Sequence, residues 1–186
     1  MSARVVLGIA GASGAALGLS AARQLAELNI HVDLVLSKAA ERTLITECGA
    51  DAIEKVREYA TRVHQIEDIG ASIASGSVPV AGMIVAPCSM RSLAAIAAGL
   101  DDNLLTRTAS VQLKERRKLV LITREAPLTL AHLRNMTWAT EMGAIILPPV
   151  PAFYLAPRSV GEIIEQIAAR AIDLLAIAKP RAKSWN

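Results

Sequence analysis

Hydrophobic and polar positions follow two different rhythms along the chain. Short, almost continuously apolar runs rich in Val, Ile and Leu are each followed by a stretch with the periodicity of an amphipathic helix. Strands that are apolar on both faces are typical of a parallel sheet covered by helices on both sides. The pattern predicts a doubly wound α/β fold (Rossmann-like or flavodoxin-like) with a mainly parallel sheet, whose strand and helix pairs are 4–10 with 14–28, 31–37 with 38–48, 82–87 with 89–98, 119–123 with 129–142, and 144–148 with 159–178.

Two parts of the chain depart from this rhythm. Residues 50–81 start with a helix-like segment, 51–60, and continue into the Ser/Gly-rich stretch 71–77, which indicates a crossover followed by a mobile or ligand-facing loop. The helical period is lost after Pro180, so 179–186 is predicted to be a C-terminal tail. We find no repeat or linker, and 1–186 is predicted to be a single domain.

A glycine-rich turn follows the first predicted strand, in "LGIAGASGAALGL". The dinucleotide pattern G-x-G-x-x-G would need glycine where Ile9 stands, and the second strand ends in Ser37-Lys38 rather than in an acid. The turn is not a P-loop either, because no Lys-Ser/Thr pair follows its last glycine. A mononucleotide phosphate or the edge of a flavin is the favoured ligand, and a tight turn without a ligand remains the alternative.

Polar side chains follow four of the predicted strands, at the point where each strand ends. They are Ser13 after the first, Ser37 after the second, Ser89 after the third, and Arg124 after the fourth. Carboxyl ends of parallel strands meet at one edge of the sheet, where ligands bind in open α/β folds. The sequence therefore predicts a single ligand crevice there.

Composition narrows the classes of protein. Hydrophobic residues make up 53% of the chain and the mean hydropathy is +0.39, which predicts a homo-oligomer with apolar surface covered by other subunits. No apolar run is long enough to span a membrane, and the N-terminus makes a poor signal peptide, so we expect a cytoplasmic protein. A net charge of +3 with 3% aromatic residues gives little support for nucleic-acid binding.

The cysteine and histidine residues indicate neither a metal site nor a nucleophile. The two cysteines and three histidines are scattered, so no metal site is predicted. Cys88 follows a buried strand and is expected to be structural rather than nucleophilic. His132 is expected to pack or cap a helix locally.

Several motifs together carry a family resemblance. They run in consistent order from residue 4 to about 185 and are "GIAGASG", "SKAAERTL", "SGS", "PCSM", "LLTRTASVQLKERRKLVLITREAPL", "HLRNM" and "PPVPAFY". This set closely resembles the UbiX/Pad family of flavin prenyltransferases. The resemblance implies a metal-independent enzyme that joins a dimethylallyl group, taken from dimethylallyl monophosphate, to reduced FMN. It also implies a dodecamer built from trimers, with prenylated FMN passed to UbiD-type decarboxylases as their cofactor.

The resemblance also implies roles for individual residues. FMN would be held by the glycine turn, by the turns after the next strands and by an arginine: Gly11, Ala12, Ser13, Ser37, Ser89, Met90, Arg91, Ser92 and Arg124, with Arg107 shared between neighbouring subunits. The donor phosphate would be gripped by Tyr154 and Arg170, with Lys114 and Glu125 near it. Glu47 and Ser13 would handle protons at the flavin, and Trp185 would cover the site.

Elementary chemistry agrees with these residue types. A departing allylic phosphate needs Arg and Lys to stabilise its charge, while the allylic cation needs apolar or π surface. Two alternatives stay open: a flavin-dependent cysteine decarboxylase, whose nearest candidate histidine is His64, and a passive FMN carrier without chemistry.

Overall fold

Six parallel strands form one sheet in the computed structural model, which describes residues 3–185. The strands are β1 (Arg4–Ile9), β2 (His31–Leu36), β3 (Arg62–His64), β4 (Gly82–Cys88), β5 (Lys118–Thr123) and β6 (Ile145–Ile146). Their order across the sheet is β3-β2-β1-β4-β5-β6, and every pairing is parallel. In the register, Val5 of β1 lies opposite Val32 of β2 on one side and Gly82 of β4 on the other.

Helices cover both faces of this sheet. They are α1 (Ala15–Glu27), α2 (Lys38–Cys48), α3 (Ala52–Glu58), α4 (Met90–Ala97), α5 (Leu104–Lys114), α6 (Leu130–Glu141) and α7 (Val160–Leu174). One core lies between the sheet and α1, α2, α3 and α7, with Leu7 and Leu25 at its centre. The other lies between the sheet and α4, α5 and α6, with Met83 and Leu105 buried in it. The predicted doubly wound α/β fold is therefore confirmed.

Three elements differ from the sequence-based prediction. β3 falls inside 50–81 and was not predicted, because it has three residues and two of them are exposed. α5 was missed because polar side chains, among them Thr106, Thr108 and Gln112, interrupt the apolar positions on its buried face; a capping box formed by Asn103 and Thr106 starts it. The last strand shrinks to two residues because the prolines that begin at Pro148 cannot donate to the ladder.

Helix α1 approaches the sheet closely through Gly18. A Cβ built on Gly18 would lie 2.7 Å from Ile9 Cδ1 and would overlap the carbonyl oxygen of Ala86. The backbone of α1 therefore rests directly on the end of β4, which fixes where the helix begins relative to the edge of the sheet.

Helix α6 exposes apolar side chains. Ala139 is the one buried residue assigned to this helix, whereas Leu130 and Trp138 are 62% and 52% exposed. Phe153, in the 3-10 turn Phe153–Leu155, is 77% exposed. Such surface is typical of contacts between subunits. Within residues 3–185, no helix combines the length and the apolar character that crossing a bilayer requires.

The close approach at Gly18 makes a testable prediction. Gly18→Ala should lower the free energy of unfolding by about 1–3 kcal/mol, because the methyl group forces α1 away from β4. Gly161→Ala is the matched control, since Gly161 is also helical and a Cβ there would meet only Ser159 Oγ at 3.6 Å. The control should leave stability unchanged or raise it by up to about 1 kcal/mol. Urea unfolding followed by circular dichroism, at equal protein concentration, compares them; equal stability of the two variants would contradict the prediction.

Candidate functional site

The candidate site is a crevice at the carboxyl edge of the sheet, where β1 and β4 lie side by side. β1 leads to α1 on one face and β4 leads to α4 on the other, so the two connections diverge and leave a cleft. Backbone hydrogen bonds tie the turns around it together, from Ala10 N to Pro87 O (3.1 Å), from Ser37 N to Ile9 O (3.1 Å) and from Arg124 N to Cys88 O (3.3 Å). The structure thus brings the glycine turn beside the turns after β2, β4 and β5.

Two serines at this edge start helices. Ser37 Oγ accepts a hydrogen bond from Ala40 N at 3.0 Å and caps α2. Ser89 Oγ accepts from Ser92 N at 3.2 Å and caps α4. The unpaired first N–H groups of both helices face the same edge, and a helix N-terminus attracts anions. The crevice can therefore bind a phosphate.

Glu47 caps the third helix that begins here, α1. Gly14, at the N-cap position, has the left-handed φ of 101° and no side chain with which to cap the helix. Glu47, at the far end of α2, supplies the cap instead, because its Oε2 accepts hydrogen bonds from Gly14 N at 2.8 Å and Ala15 N at 2.9 Å. Glu47 is therefore fixed in the crevice.

The environment of Glu47 favours its ionised form. Partial burial acts to raise the pKa of its carboxyl group. Four groups act in the opposite direction: the Ser13 hydroxyl, Ala15 N and Gly14 N through hydrogen bonds, and Arg124 through its charge. Together they outweigh burial and hold the pKa below the usual glutamate range. An ionised carboxylate accepts protons and cannot donate one. Ser13 and Arg124 are thereby placed beside Glu47.

The polar groups of the crevice suit FMN. A Cβ on Gly11 would overlap Ala39 Cβ and lie 3.1 Å from the Ala39 carbonyl carbon, so only glycine fits there. Ala12 is half-buried and Ser13 is exposed, so the turn presents its backbone to the crevice. Arg124 is exposed beside it. Hydroxyl groups, helix N-termini and an arginine match the needs of a flavin mononucleotide phosphate.

A second group of predicted site residues lies apart from the crevice. Tyr154 and Arg170 line a cavity of about 520 Å³, together with residues of the turn after β6 and of the C-terminal segment. The rings of Tyr154 and Trp185 pack edge to face with their centroids 4.9 Å apart. The structure therefore brings Tyr154, Arg170 and Trp185 together beside β6, which is the edge strand.

Lys114 lies at the opposite end of the sheet from the crevice. It is the last residue of α5 and forms an ion pair with Glu115, and a Cβ on Gly76 would lie 2.6 Å from Lys114 Nζ. β5 starts at Lys118 and runs about 17 Å to Thr123 at the carboxyl edge, at the usual rise of a strand, and Lys114 ends the helix that leads into the start of β5. Within one subunit it is not near the other predicted site residues.

The remaining predicted residues surround the crevice at its α4 and β5 sides. Arg91 forms an ion pair with Asp102, and Arg107 donates from Nη1 to Asp101 Oδ2 at 2.9 Å. Met90 is half-buried next to the Ser89 cap, and Glu125 is exposed next to Arg124. Both arginines are held by acidic residues of the loop between α4 and α5, a pairing that the sequence analysis did not foresee.

A buried polar cluster at β1, β2 and β3 was also missed. Asp33 is fully buried; it accepts hydrogen bonds from Arg4 Nη2 at 3.0 Å and from His64 Nε2 at 2.7 Å. Burial acts to raise the pKa of Asp33, but the hydrogen bonds from Arg4 and His64 outweigh this effect and lower the pKa below its usual value, so the carboxyl group stays ionised. His64 of β3 is therefore hydrogen-bonded to Asp33 of β2 within the sheet. A charged residue in an apolar strand run was the one signal for this cluster.

Two other expectations are confirmed by the geometry. Cys88 is fully buried, and burial raises the pKa of its thiol to about 12, so it is a poor nucleophile. His132 forms a capping box with Thr129 at the start of α6. Among residues 3–185, no cluster of three or more His, Cys, Asp or Glu side chains has the arrangement of a metal site.

The strand order and the crevice define a nucleotide-binding α/β protein of the flavoprotein type. A profile of the Flavoprotein family matches residues 1–172. The chain is 51% identical over 170 residues to a flavin prenyltransferase UbiX of Thauera aromatica, which covers 91% of this chain and 87% of that relative. The chain therefore belongs to the flavoprotein family and, within it, to the UbiX-type flavin prenyltransferases.

Solved structures agree with this assignment. AnUbiX (PadA1), crystallised in complex with FMN and dimethylallyl pyrophosphate, superposes with a TM-score of 0.95 and 46% identity over 100% of this chain and 98% of that one. A dodecameric FMN-dependent UbiX-like decarboxylase from Escherichia coli O157:H7 superposes with a TM-score of 0.93 and 42% identity, covering 98% of this chain and 99% of that one.

The cap by Glu47 predicts a pH-dependent stability difference. Glu47→Gln should lower the free energy of unfolding at neutral pH by up to about 1 kcal/mol, because a neutral amide caps α1 more weakly. The pKa of Glu47 is lowered in the fold, so its contribution is fully present above the unfolded-state pKa of about 4 and disappears as the pH falls through the lower folded value. The difference between wild type and variant should therefore shrink as the pH falls below about 4.

The control is Asp68→Asn, at an exposed loop aspartate outside the helices. It should show no such dependence. Urea unfolding of the three proteins at several pH values makes the comparison, and a Glu47→Gln deficit that persists in acid would contradict the role of the ionised cap.

Proposed function

We propose that this chain transfers a dimethylallyl group from dimethylallyl monophosphate to reduced FMN and so makes prenylated FMN. The observation that carries the proposal is the crevice itself, in which an ionised Glu47 and two serine-capped helices meet at the carboxyl edge. The identity of about half with flavin prenyltransferases over most of the chain supports the same reaction.

In this proposal the crevice binds FMN. The capped starts of α2 and α4 and the exposed Arg124 suit its phosphate and polar groups. The proposed FMN-binding set is Gly11, Ala12, Ser13, Ser37, Ser89, Met90, Arg91, Ser92 and Arg124, with Arg107 of a neighbouring subunit. Reduced FMN supplies the electron-rich ring positions to which the dimethylallyl group becomes attached.

Tyr154 and Arg170 are proposed to hold the donor phosphate. Arginine binds phosphate with two parallel hydrogen bonds, and a tyrosine hydroxyl adds a neutral donor. Their cavity also contains Leu147, Pro148 and Ile167, which offer apolar surface to the prenyl chain. Lys114 and Glu125 are proposed to complete the phosphate environment, and Trp185 to cover it.

Glu47 is proposed to accept the proton that the flavin must lose when the new ring closes. Its ionised state suits an acceptor, and Ser13, whose hydroxyl helps to lower the pKa of Glu47, is proposed to relay the proton. Arg124 keeps positive charge beside this pair.

The proposed reaction needs more than one subunit. Lys114 lies at the opposite edge of its own sheet, and the donor cavity lies beside the edge strand, away from the glycine turn. We infer that neighbouring copies bring these parts together in a dodecamer built from trimers. The exposed apolar residues of α6 and the dodecameric relative support this inference.

The product is proposed to serve UbiD-type decarboxylases as their cofactor. A covalently modified flavin is of use only to an enzyme that binds it in turn, and the family resemblance supports that recipient.

The alternatives have less support. A cysteine decarboxylase would need a free histidine at the flavin, whereas His64 is bonded to the buried Asp33. A passive FMN carrier would leave the cavity with Tyr154 and Arg170 without a purpose.

Mass spectrometry of the flavin tests the proposed reaction. Wild-type protein incubated without oxygen with reduced FMN and dimethylallyl monophosphate should yield a flavin heavier by one C5H8 unit. Glu47→Gln should still bind FMN but convert it about 100-fold more slowly or worse, because a neutral amide cannot take the proton. Unchanged FMN with the wild type, offered either the monophosphate or the pyrophosphate donor, would refute the proposal.

Arg170→Ala tests the donor site separately. The variant should raise KM for the donor at least about tenfold and leave the Kd for FMN within about twofold, because it removes only the phosphate partner. Arg62→Ala, at an exposed arginine of β3, is the control for a lost positive charge. Equal weakening of both ligands by Arg170→Ala would exclude its phosphate role.

Mixed oligomers test whether sites lie between subunits. Glu47→Gln and Lys114→Ala oligomers should each be inactive or slow, but subunits of both kinds, co-expressed in equal amounts, should regain about a quarter of wild-type activity. The gain is expected because, in one site out of four, the subunit that supplies Glu47 is a Lys114→Ala chain and the subunit that supplies Lys114 is a Glu47→Gln chain, so that both residues are present. No recovery in verified mixed oligomers would show that both residues act within one chain.

A further inference from the structure

The chain turns back after α7 and forms a C-terminal strap, residues 179–185, that runs along this helix. Two side chains of α7 hold the strap through its backbone. Asp173 accepts from Arg181 N at its Oδ1 (2.9 Å) and from Ala182 N at its Oδ2 (3.0 Å). Gln166 accepts from Lys183 N at its Oε1 (3.0 Å) and donates from its Nε2 to Lys183 O (2.9 Å). Four hydrogen bonds therefore fix the path of the strap.

Arg170 lies between these two anchors on the same face of α7. Gln166, Arg170 and Asp173 are spaced by four and three residues, which places them one above the other on the helix. All three line the 520 Å³ cavity, and Pro180, Ala182 and Ser184 of the strap form its opposite wall.

The anchors also decide what Arg170 can bind. Asp173 is the acidic neighbour with which Arg170 would pair at this spacing, but both of its carboxylate oxygens accept strap N–H groups. Among residues 3–185, the guanidinium of Arg170 makes no ion pair or hydrogen bond. It remains available for an anion in the cavity.

Gln166 and Lys183 separate this cavity from a second one. The second cavity, of about 500 Å³, lies on the other side of the pair, and its lining includes both acidic and basic side chains, among them Glu162, Glu165 and Arg181. Gln166 and Lys183 line both cavities. Loss of their two hydrogen bonds would join the cavity that contains Arg170 to this second, solvent-filled space, and water would then weaken the attraction between Arg170 and a bound phosphate.

We propose that Gln166 and Asp173 are positioning residues for the prenyl donor: they fix the strap as the wall of its cavity and keep Arg170 unpaired for its phosphate. This inference rests on the proposed function, because it takes the donor to be an allylic phosphate. Trp185, at the end of the strap, is held against Tyr154 by the same anchors.

Two variants weaken the anchors and leave Tyr154 and Arg170, the proposed partners of the donor phosphate, in place. Asp173→Asn keeps one acceptor oxygen and turns an NH2 group toward a strap N–H group. Gln166→Leu keeps the approximate volume and removes both bonds to Lys183. Each should raise KM for dimethylallyl monophosphate about tenfold, with kcat at saturating donor and the Kd for FMN within about twofold of wild type. Asp68→Asn, at an exposed loop aspartate, is the control.

A truncation after Pro180 tests whether Asp173 affects donor binding through the strap or by acting on the donor directly. The truncated chain should have a raised donor KM, and Asp173→Asn should leave that KM unchanged or lower it, because the strap is already absent and an asparagine cannot form an ion pair with Arg170. An equal further increase would show that Asp173 acts on the donor directly and would overturn the inference. Unchanged donor KM in both full-length variants, or equal losses for donor and FMN, would overturn it as well.

Fluorescence gives a readout that does not depend on turnover. The chain has two tryptophans, so a Trp138→Phe background reports Trp185 alone. Trp185 is already 75% exposed, so the readout is the mobility of its ring. Each anchor variant should lower the fluorescence anisotropy of Trp185, and titration with dimethylallyl monophosphate should raise this anisotropy at lower concentration in wild type than in the variants. A wild type that makes no prenylated flavin refutes the proposed function, whereas equal anisotropy and an equal response to the donor in all proteins refute the role of the anchors.

Discussion

The bond between Glu47 and the start of α1 is the contact on which the geometry of the crevice depends. Gly14 takes a left-handed conformation that lets the chain turn sharply after β1, but it leaves α1 without a cap of its own. The carboxylate of Glu47 replaces that cap and joins the last turn of α2 to the first turn of α1. Because Ser37 caps the other end of α2, this one helix connects the turn after β2 with the glycine turn after β1.

The same contact places a negative charge where an enzyme of this type needs a proton acceptor. The hydrogen bonds that keep Glu47 ionised are those that hold α1 in place, so the structural role and the proposed chemical role have one physical origin. The contact also occupies the N-terminus of α1, and the starts of α2 and α4 remain for the phosphate of a flavin nucleotide. The other proposed components lie elsewhere in the subunit, which agrees with the surplus of apolar surface.

Much of the fold could be predicted from the sequence, because buried parallel strands are apolar on both faces. The segments that became β1, β2, β4 and β5 were predicted almost to the residue. β3 could not be, since a three-residue strand with exposed side chains has no periodic signal. α5 begins at a cap, but polar side chains share its buried face and interrupt the apolar pattern that would mark it.

The parts of the site that follow directly from a strand end could be predicted, whereas contacts between residues far apart in the sequence could not. Polar residues at strand ends pointed to the crevice, since parallel strands bring their ends together whatever lies between them. The contact of Glu47 with Gly14 spans 33 residues, and the bonds of Asp173 and Gln166 to the strap depend on where the chain reverses after α7. Nothing in the local sequence marks such pairs, and Glu47 was assigned a role only through the family resemblance.

The most direct test is the pKa of Glu47 itself. It can be measured as the difference between the carboxylate infrared titrations of the wild type and of the Glu47→Gln variant. We expect a pKa below the usual glutamate range in the folded protein, because Ser13, the two N–H groups and Arg124 all favour the ionised form. A pKa at or above that range would show that Glu47 is not held as an anion at the start of α1 and would contradict both its structural and its proposed chemical role.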